Sequence, residues 1–136
     1  ILCDVDHFKL YNDCYGHLQG DKCLQQIAKT LNDIIQREGD IAARYGGEEF
    51  ALLLPNTSSV DAAMLAERVR SQIEALQLPH SDSPTSLWVT LSLGVASCLP
   101  MPDASSEQLI SSADRALYAA KSMGRNAFHA AQCQPM

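Results

Sequence analysis

Arg44-Tyr45-Gly46-Gly47-Glu48-Glu49-Phe50 joins two short apolar runs, Ile41 to Tyr45 and Phe50 to Leu54. Adjacent glycines between two such runs are a hairpin signature, because a tight turn that follows the strand twist needs positive φ. The hairpin accounts for the glycines. It leaves unexplained the two carboxylates directly after the turn, flanked by Tyr45, Phe50 and Leu52 to Leu54. Glycines also let a ligand approach the backbone, and Glu48 meets Asp4 if the strands that carry them are neighbours.

Upstream, Ile1-Leu2-Cys3-Asp4-Val5 reads as a short buried strand ending in carboxylates. A helical period starts at Asp21, with Leu24, Ile27, Ala28, Leu31, Ile34 and Ile35 on one face and Gly39 closing it. Downstream, Pro55-Asn56 stops the second hairpin strand. Ala62, Leu65, Ala66, Val69, Ile73 and Leu76 then mark a helix with Ser58 and Asp61 as its capping signal. His80 to Ser86 is a loop, and Trp88 to Ala96 is a strand with Val89, Leu91, Leu93 and Val95 on one side. Ser105 and Gln108 open a last helix whose core face is Leu109, Ala113, Ala116, Leu117 and Ala120, with Gly124 at its end. Arg125 to His129 adds a short strand before a frayed end. The order β-α-β-β-α-β-α is a split β-α-β arrangement. It predicts an α+β, ferredoxin-like or palm-like fold with a mostly antiparallel sheet and flanking helices on one face.

The composition of the 136 residues is that of an ordinary globular domain, 46% hydrophobic and 19% charged. A net charge of -6 supplies no basic excess for nucleic acid or an anionic membrane. No apolar run approaches the roughly 20 residues of a membrane span. The five cysteines are scattered without a Cys-x-x-Cys pair, which suggests neither a disulfide framework nor a zinc site and fits a reducing, cytoplasmic setting. Nothing resembles a Ser-His-Asp set, an H-E-x-x-H helix or a Walker loop. His7 reads as a surface position and His17 as a structural turn residue.

Asp4-Val5-Asp6-His7-Phe8-Lys9 is the other cluster with chemistry in it. Carboxylates at a strand end beside a turn suit Mg²⁺, which takes one or two carboxylates together with phosphate oxygens and water. The plain alternative is that these acids cap the next helix or face solvent.

Gly46-Gly47-Glu48-Glu49-Phe50 resembles the GGEEF form of the signature that names the GGDEF family of diguanylate cyclases. Other segments are similar to that family's remaining blocks, in order and across nearly the whole chain. They are Asp4 to Lys9, Asn12-Asp13, Gly16-His17, Gly20-Asp21, Ala66-Glu67-Arg68, Val89 to Val95, and Ala113-Asp114 through Lys121 to Gly124-Arg125-Asn126.

The resemblance implies an enzyme that joins two GTP molecules into cyclic di-GMP with release of two pyrophosphates. Asp4 and Glu48 then correspond to the metal-binding carboxylates, with the Val5 carbonyl as a backbone ligand and Mg²⁺ (or Mn²⁺) as the ion. Gly46 and Gly47 give the nucleotide access to the hairpin, and Glu49 is a further active-site acid. Asn12 and Asp21 match the residues that read guanine. A carboxylate accepts from guanine N1–H and N2–H₂, a donor pair adenine lacks, although Asp21 also suits an N-cap. Phe8 and Lys9 lend backbone amides to the phosphates. Lys121 and Arg125 correspond to the phosphate-holding cations, on one face if the helix persists to Arg125; otherwise they are solvated helix-end charges. Arg37 and Asp40, with Arg68 as a second cation, resemble the family's inhibitory Arg-x-x-Asp product site, where a guanidinium donates to guanine O6 and N7.

The resemblance also implies an antiparallel homodimer, because each protomer offers one GTP pocket and the product joins two nucleotides. It places one domain at 1–130 and a disordered tail at 131–136. It further implies a missing N-terminal helix segment, since such domains begin with a helix before the first strand, and a sensory domain upstream in a parent chain that is membrane-anchored or free. A catalytically silent module that senses GTP or cyclic di-GMP, or only dimerises, is the alternative.

Overall fold

A computed structural model of the chain describes residues 1–131. The elements are β1 (Leu2–Val5), α1 (Phe8–Tyr15), α2 (His17–Ile34), β2 (Ile41–Gly46), β3 (Glu49–Leu53), α3 (Ser59–Ala75), β4 (Leu91–Val95), α4 (Ser106–Ser122) and β5 (Ala127–Ala130). They form one five-stranded sheet in the order β2-β3-β1-β4-β5. The hairpin strand β3 lies between β1 and β2, antiparallel to both, and β4 runs antiparallel along the other side of β1. These four strands are the expected ferredoxin-like α+β arrangement. The fifth, β5, pairs parallel with β4, which requires a crossover through α4.

That crossover corrects the expectation of helices on one face. Cys3, Val5, Phe50, Leu52, Leu91, Leu93 and Val95 pack with the apolar stripes of α2 and α3. The alternate residues face the other way, where Leu2 packs with Ala113 and Leu117 of α4. The central strands β1 and β4 are therefore buried along their whole length. Gly94 faces α4 so closely that a Cβ would lie 2.2 Å from the Ala113 carbonyl oxygen and 2.3 Å from the Leu117 amide nitrogen.

Two helix ends also differ from expectation. A separate helix, α1, precedes α2, which starts at His17 rather than Asp21. Gly16 divides them at φ 87, its N–H closing on the Asn12 carbonyl at 2.8 Å. The apolar residues of α1 are few, but Phe8, Tyr11 and Tyr15 stack successively and seat it. At its other end α2 stops at Ile34, so Gly39 serves the following turn at φ 88 instead of capping the helix. Ser58 and Ser105 cap α3 and α4 as expected, accepting from the amides of Asp61 and Gln108. Leu76 is exposed and Leu109 half-buried, so neither belongs to the core proper.

The C-terminal end of α4 is a Schellman motif. Gly124 N–H donates to the Lys121 carbonyl, and Arg125 N–H to the Ala120 carbonyl. Ala131 N–H donates to the Val95 carbonyl at 2.7 Å, so this residue continues the sheet edge. The remainder of the expected tail lies outside the described residues. No described helix is long and apolar enough to cross a membrane.

Candidate active site

The sheet brings Asp4 and the hairpin acids together. Asp4 stands opposite Glu49 in the β1–β3 register, and Val5 N–H donates to the Glu48 carbonyl at 3.2 Å. Lys121 reaches across from α4 to place Nζ 3.1 Å from Asp4 Oδ2. Burial pushes the Asp4 carboxyl up to about 6; Lys121 opposes this, while Glu48 and Glu49 add to it. Three carboxylates and one ammonium thus leave a surplus of negative charge in a sparsely solvated spot.

This donor set fits a hard divalent cation. Among the described residues no three or more His, Cys, Asp or Glu form a cage from side chains alone. Mg²⁺ needs no such cage, taking one or two carboxylates with backbone, water and phosphate oxygens. Asp4, Glu48 and the Val5 carbonyl are the candidates to hold it. Because Asp4 must lose its proton to ligate, affinity for Mn²⁺ is expected to weaken as pH falls through about 6, approaching tenfold per pH unit below it. Titration calorimetry between pH 5 and 8 checks this; a flat profile would exclude Asp4 as a ligand.

In the hairpin only Gly47 has positive φ, at 50. Gly46 does not, so the turn requires one of the two glycines conformationally. A Cβ on either would meet nothing within 4 Å. The protein's own packing therefore gives no reason for glycine at 46, which suits an open surface reserved for a ligand. Arg44 Nε donates to the Gly47 carbonyl at 2.8 Å and braces the turn from within, a role the sequence did not signal.

Phe8 and Lys9 begin α1, where the first amides of the helix lack intrahelical acceptors. His7 precedes them at φ 53 and is half-buried rather than a plain surface residue. Burial, and then the charge of Arg125, hold its imidazole below the ordinary value. Arg125 therefore lies by this helix start although it is not on the face of Lys121. The Schellman turn carries it off the helix, to φ 62. Against the start of α1 lies His80, 1% exposed, with Nε2 3.0 Å from the His7 carbonyl oxygen. A histidine in a Ser/Pro-rich loop gives no sequence signal of burial.

Asp6, also 1% exposed, has a different task from Asp4. It accepts from Thr90 Oγ1 at 2.8 Å, Ser92 Oγ at 2.6 Å and the Asn126 amide at 3.0 Å. The Asn126 side chain in turn accepts from Arg70 Nη1 at 2.9 Å and donates to Glu74. Asp6 thus ties the Arg125 loop to β4 and α3. An amide at position 6 offers one acceptor oxygen in place of two, so one hydroxyl of this buried network must give up its bond or turn round to accept. Asp6→Asn is expected to destabilise the fold by about 2 kcal/mol, measured by urea unfolding.

Asn12 on α1 and Asp21 on α2 are not hydrogen-bonded to each other. Asn12 Oδ1 is buried without a hydrogen-bond partner. Asp21 is exposed in the second turn of α2 and does not cap the helix. It lines a cavity of about 360 Å³ with Leu24, Ala28, Arg44 and Phe50. A larger open cavity, about 1330 Å³, lies between α4 and the segment after β4 and contains none of the candidate site residues.

Arg37 and Asp40 form an ion pair at 2.8 Å at the turn before β2. Arg37 Nη2 also donates to the Pro55 carbonyl and to Thr57 Oγ1, each at 2.5 Å. Arg68 is exposed on α3 and makes no ion pair among the described residues.

The family described as "Diguanylate cyclase, GGDEF domain" matches residues 1–127. Diguanylate cyclase VdcA of Vibrio cholerae is 46% identical over 127 residues, covering 93% of this chain and 37% of that protein. Response regulator PleD of Caulobacter vibrioides is 39% identical over 127 residues, covering 93% and 28%. The chain thus spans about a third of the length of the curated relatives it matches. Among solved structures, the GGDEF domain of DgcB from Caulobacter crescentus in complex with c-di-GMP superposes with a TM-score of 0.83 at 35% identity, covering 96% of this chain and 75% of that one. The active GGEEF domain of a diguanylate cyclase from Vibrio cholerae gives 0.82 at 34% identity, covering 98% and 81%. By both sequence and fold, the chain belongs to the GGDEF family of diguanylate cyclase domains.

Proposed function

We propose that residues 1–130 form a diguanylate cyclase domain, which condenses two GTP into cyclic di-GMP and two pyrophosphates. The carrying observation is the gathering of Asp4, Glu48 and Glu49 at an open glycine hairpin, with Lys121 3.1 Å from Asp4. A divalent cation held by Asp4, Glu48 and the Val5 carbonyl would offset triphosphate charge and polarise the α-phosphorus. The amides of Phe8 and Lys9, with Lys121 and Arg125, bind the β- and γ-phosphates and stabilise the charge that develops on the leaving pyrophosphate. Gly46 and Gly47 let the nucleotide lie against the turn. Asn12 and Asp21 read the guanine edge, with the exposed Asp21 carboxylate accepting from it.

Each 3′-hydroxyl attacks the α-phosphorus of the other nucleotide, so two protomers face each other in an antiparallel homodimer. Each of the two bonds formed expels one pyrophosphate and frees one hydroxyl proton; Glu49 is the acid placed beside Asp4 at this centre. Cyclic di-GMP then inhibits at Arg37 and Asp40, with Arg68 as a second cation. Its guanine displaces bonds that Arg37 now makes to Asp40, Pro55 and Thr57. In its parent protein the domain is driven by an upstream sensory segment.

Incubation with GTP and Mg²⁺, with product read by mass spectrometry, tests the proposal. A version fused to a coiled-coil dimeriser is expected to make cyclic di-GMP, and the same version with Glu48→Ala is not. A folded, dimerised protein that binds GTP and yields no product would replace the cyclase with a nucleotide-sensing module.

A further inference from the structure

Gly20 is buried inside α2 and has no positive φ, so its backbone does not call for glycine. Glycine is less favourable than alanine at such a helix position. A Cβ on Gly20 would lie 1.9 Å from Asn12 Oδ1, 3.0 Å from Asn12 Cγ and 3.3 Å from Phe8 Cζ. Each of these atoms belongs to a side chain on α1, and the severe approach is to the Asn12 amide. The oxygen that fills the space is itself buried without a hydrogen-bond partner. A suboptimal helix residue and an unpaired polar atom therefore meet at one point, and neither serves the fold.

We infer that Gly20 is a positioning residue for nucleotide binding: its missing side chain leaves room for Asn12 Oδ1 to seat against α2, which turns the other end of the amide, its N–H₂, toward the base as a donor. This rests on the base-reading role proposed above for Asn12. With alanine at 20 the half-buried amide must rotate out toward solvent, and the Phe8 ring must give by a few tenths of an ångström. Binding then loses a hydrogen bond to the base, while the alanine favours the helix.

The test is a double-mutant cycle on the whole chain with Gly20→Ala, Asn12→Ala and both together. Titration calorimetry uses 3′-deoxy-GTP, which cannot form the phosphodiester. Gly20→Ala is expected to keep Tm near that of the parent and to weaken 3′-deoxy-GTP binding about tenfold. In the Asn12→Ala background the same change is expected to have almost no further effect. Undiminished binding by Gly20→Ala, beside a loss with Asn12→Ala, overturns the inference alone. So does a Gly20→Ala loss that persists undiminished in the Asn12→Ala background. An Asn12→Ala protein that binds 3′-deoxy-GTP like the parent overturns the base-reading role, and the inference with it.

Discussion

Asp4→Asn is expected to reduce cyclic di-GMP formation about a thousandfold or more in the dimerised protein without weakening the fold. Loss of one of the two carboxylates proposed to hold the metal would remove roughly 4 kcal/mol of transition-state stabilisation, which is near a thousandfold in rate. The effect on stability has the opposite sign. Burial raises the folded-state pKa of Asp4 from 3.8 to about 6, so the folded state holds this proton more tightly than the unfolded chain. On that account the metal-free protein loses stability as pH rises from about 4 to about 6. Above pH 6 the charged carboxylate opposes folding, and the neutral amide removes that cost. Thermal unfolding at pH 8 without metal should therefore show Asp4→Asn at least as stable as the parent, a gain that disappears near pH 4. Product formation at the parental rate would remove Asp4 from the metal site. A large fall in Tm would show that its charge is structural instead.

Gly94→Ala is expected to cost about 3 kcal/mol of stability or more. The new carbon meets backbone on α4: Ala113 O at 2.2 Å, Leu117 N at 2.3 Å and Leu117 Cα at 2.8 Å. Backbone atoms of a capped helix cannot swing aside as a side-chain tip does, so α4 must lift from the sheet. Leu2 and Leu117 would part, and Lys121, one turn further along, would shift away from Asp4. Urea unfolding should show a lower midpoint with little change in slope. Stability within 1 kcal/mol of the parent would mean that α4 does not pack on β4 this closely. The contrast with Gly20→Ala is instructive, since there the obstructing atom is the end of a movable side chain.

The fold class was legible because its signals are local. The apolar runs of β1 and β3, the alternation in β4, the 3.6 period in α2 to α4, and the serine caps at 58 and 105 each depend on residues a few positions apart. The same holds for Gly46-Gly47, whose turn joins β2 and β3. α1 escaped because eight residues with two buried positions give too short a period to read. Its helix is stabilised by aromatic stacking and by the loop that carries His80. The placement of α4 escaped for another reason. Ser92 and Gly94 do not look like core residues, yet a strand buried on both faces uses small residues where a helix lies close.

At the candidate site, the sequence by itself determined which residue types are present, the strand ends and turns that display them, and the family to which they belong. Only the tertiary structure decided which of them meet. Asp4 and Asp6 are two positions apart and look equivalent in sequence, but one faces Glu49 and Lys121 while the other is consumed by Thr90, Ser92 and Asn126. Those last contacts span 84 to 120 positions of chain. Nothing in a local pattern encodes them, because their partners are chosen by strand register and helix packing. Likewise the glycine at 20 is conformationally unnecessary to its own helix, and its requirement comes from a side chain that the fold brings against it.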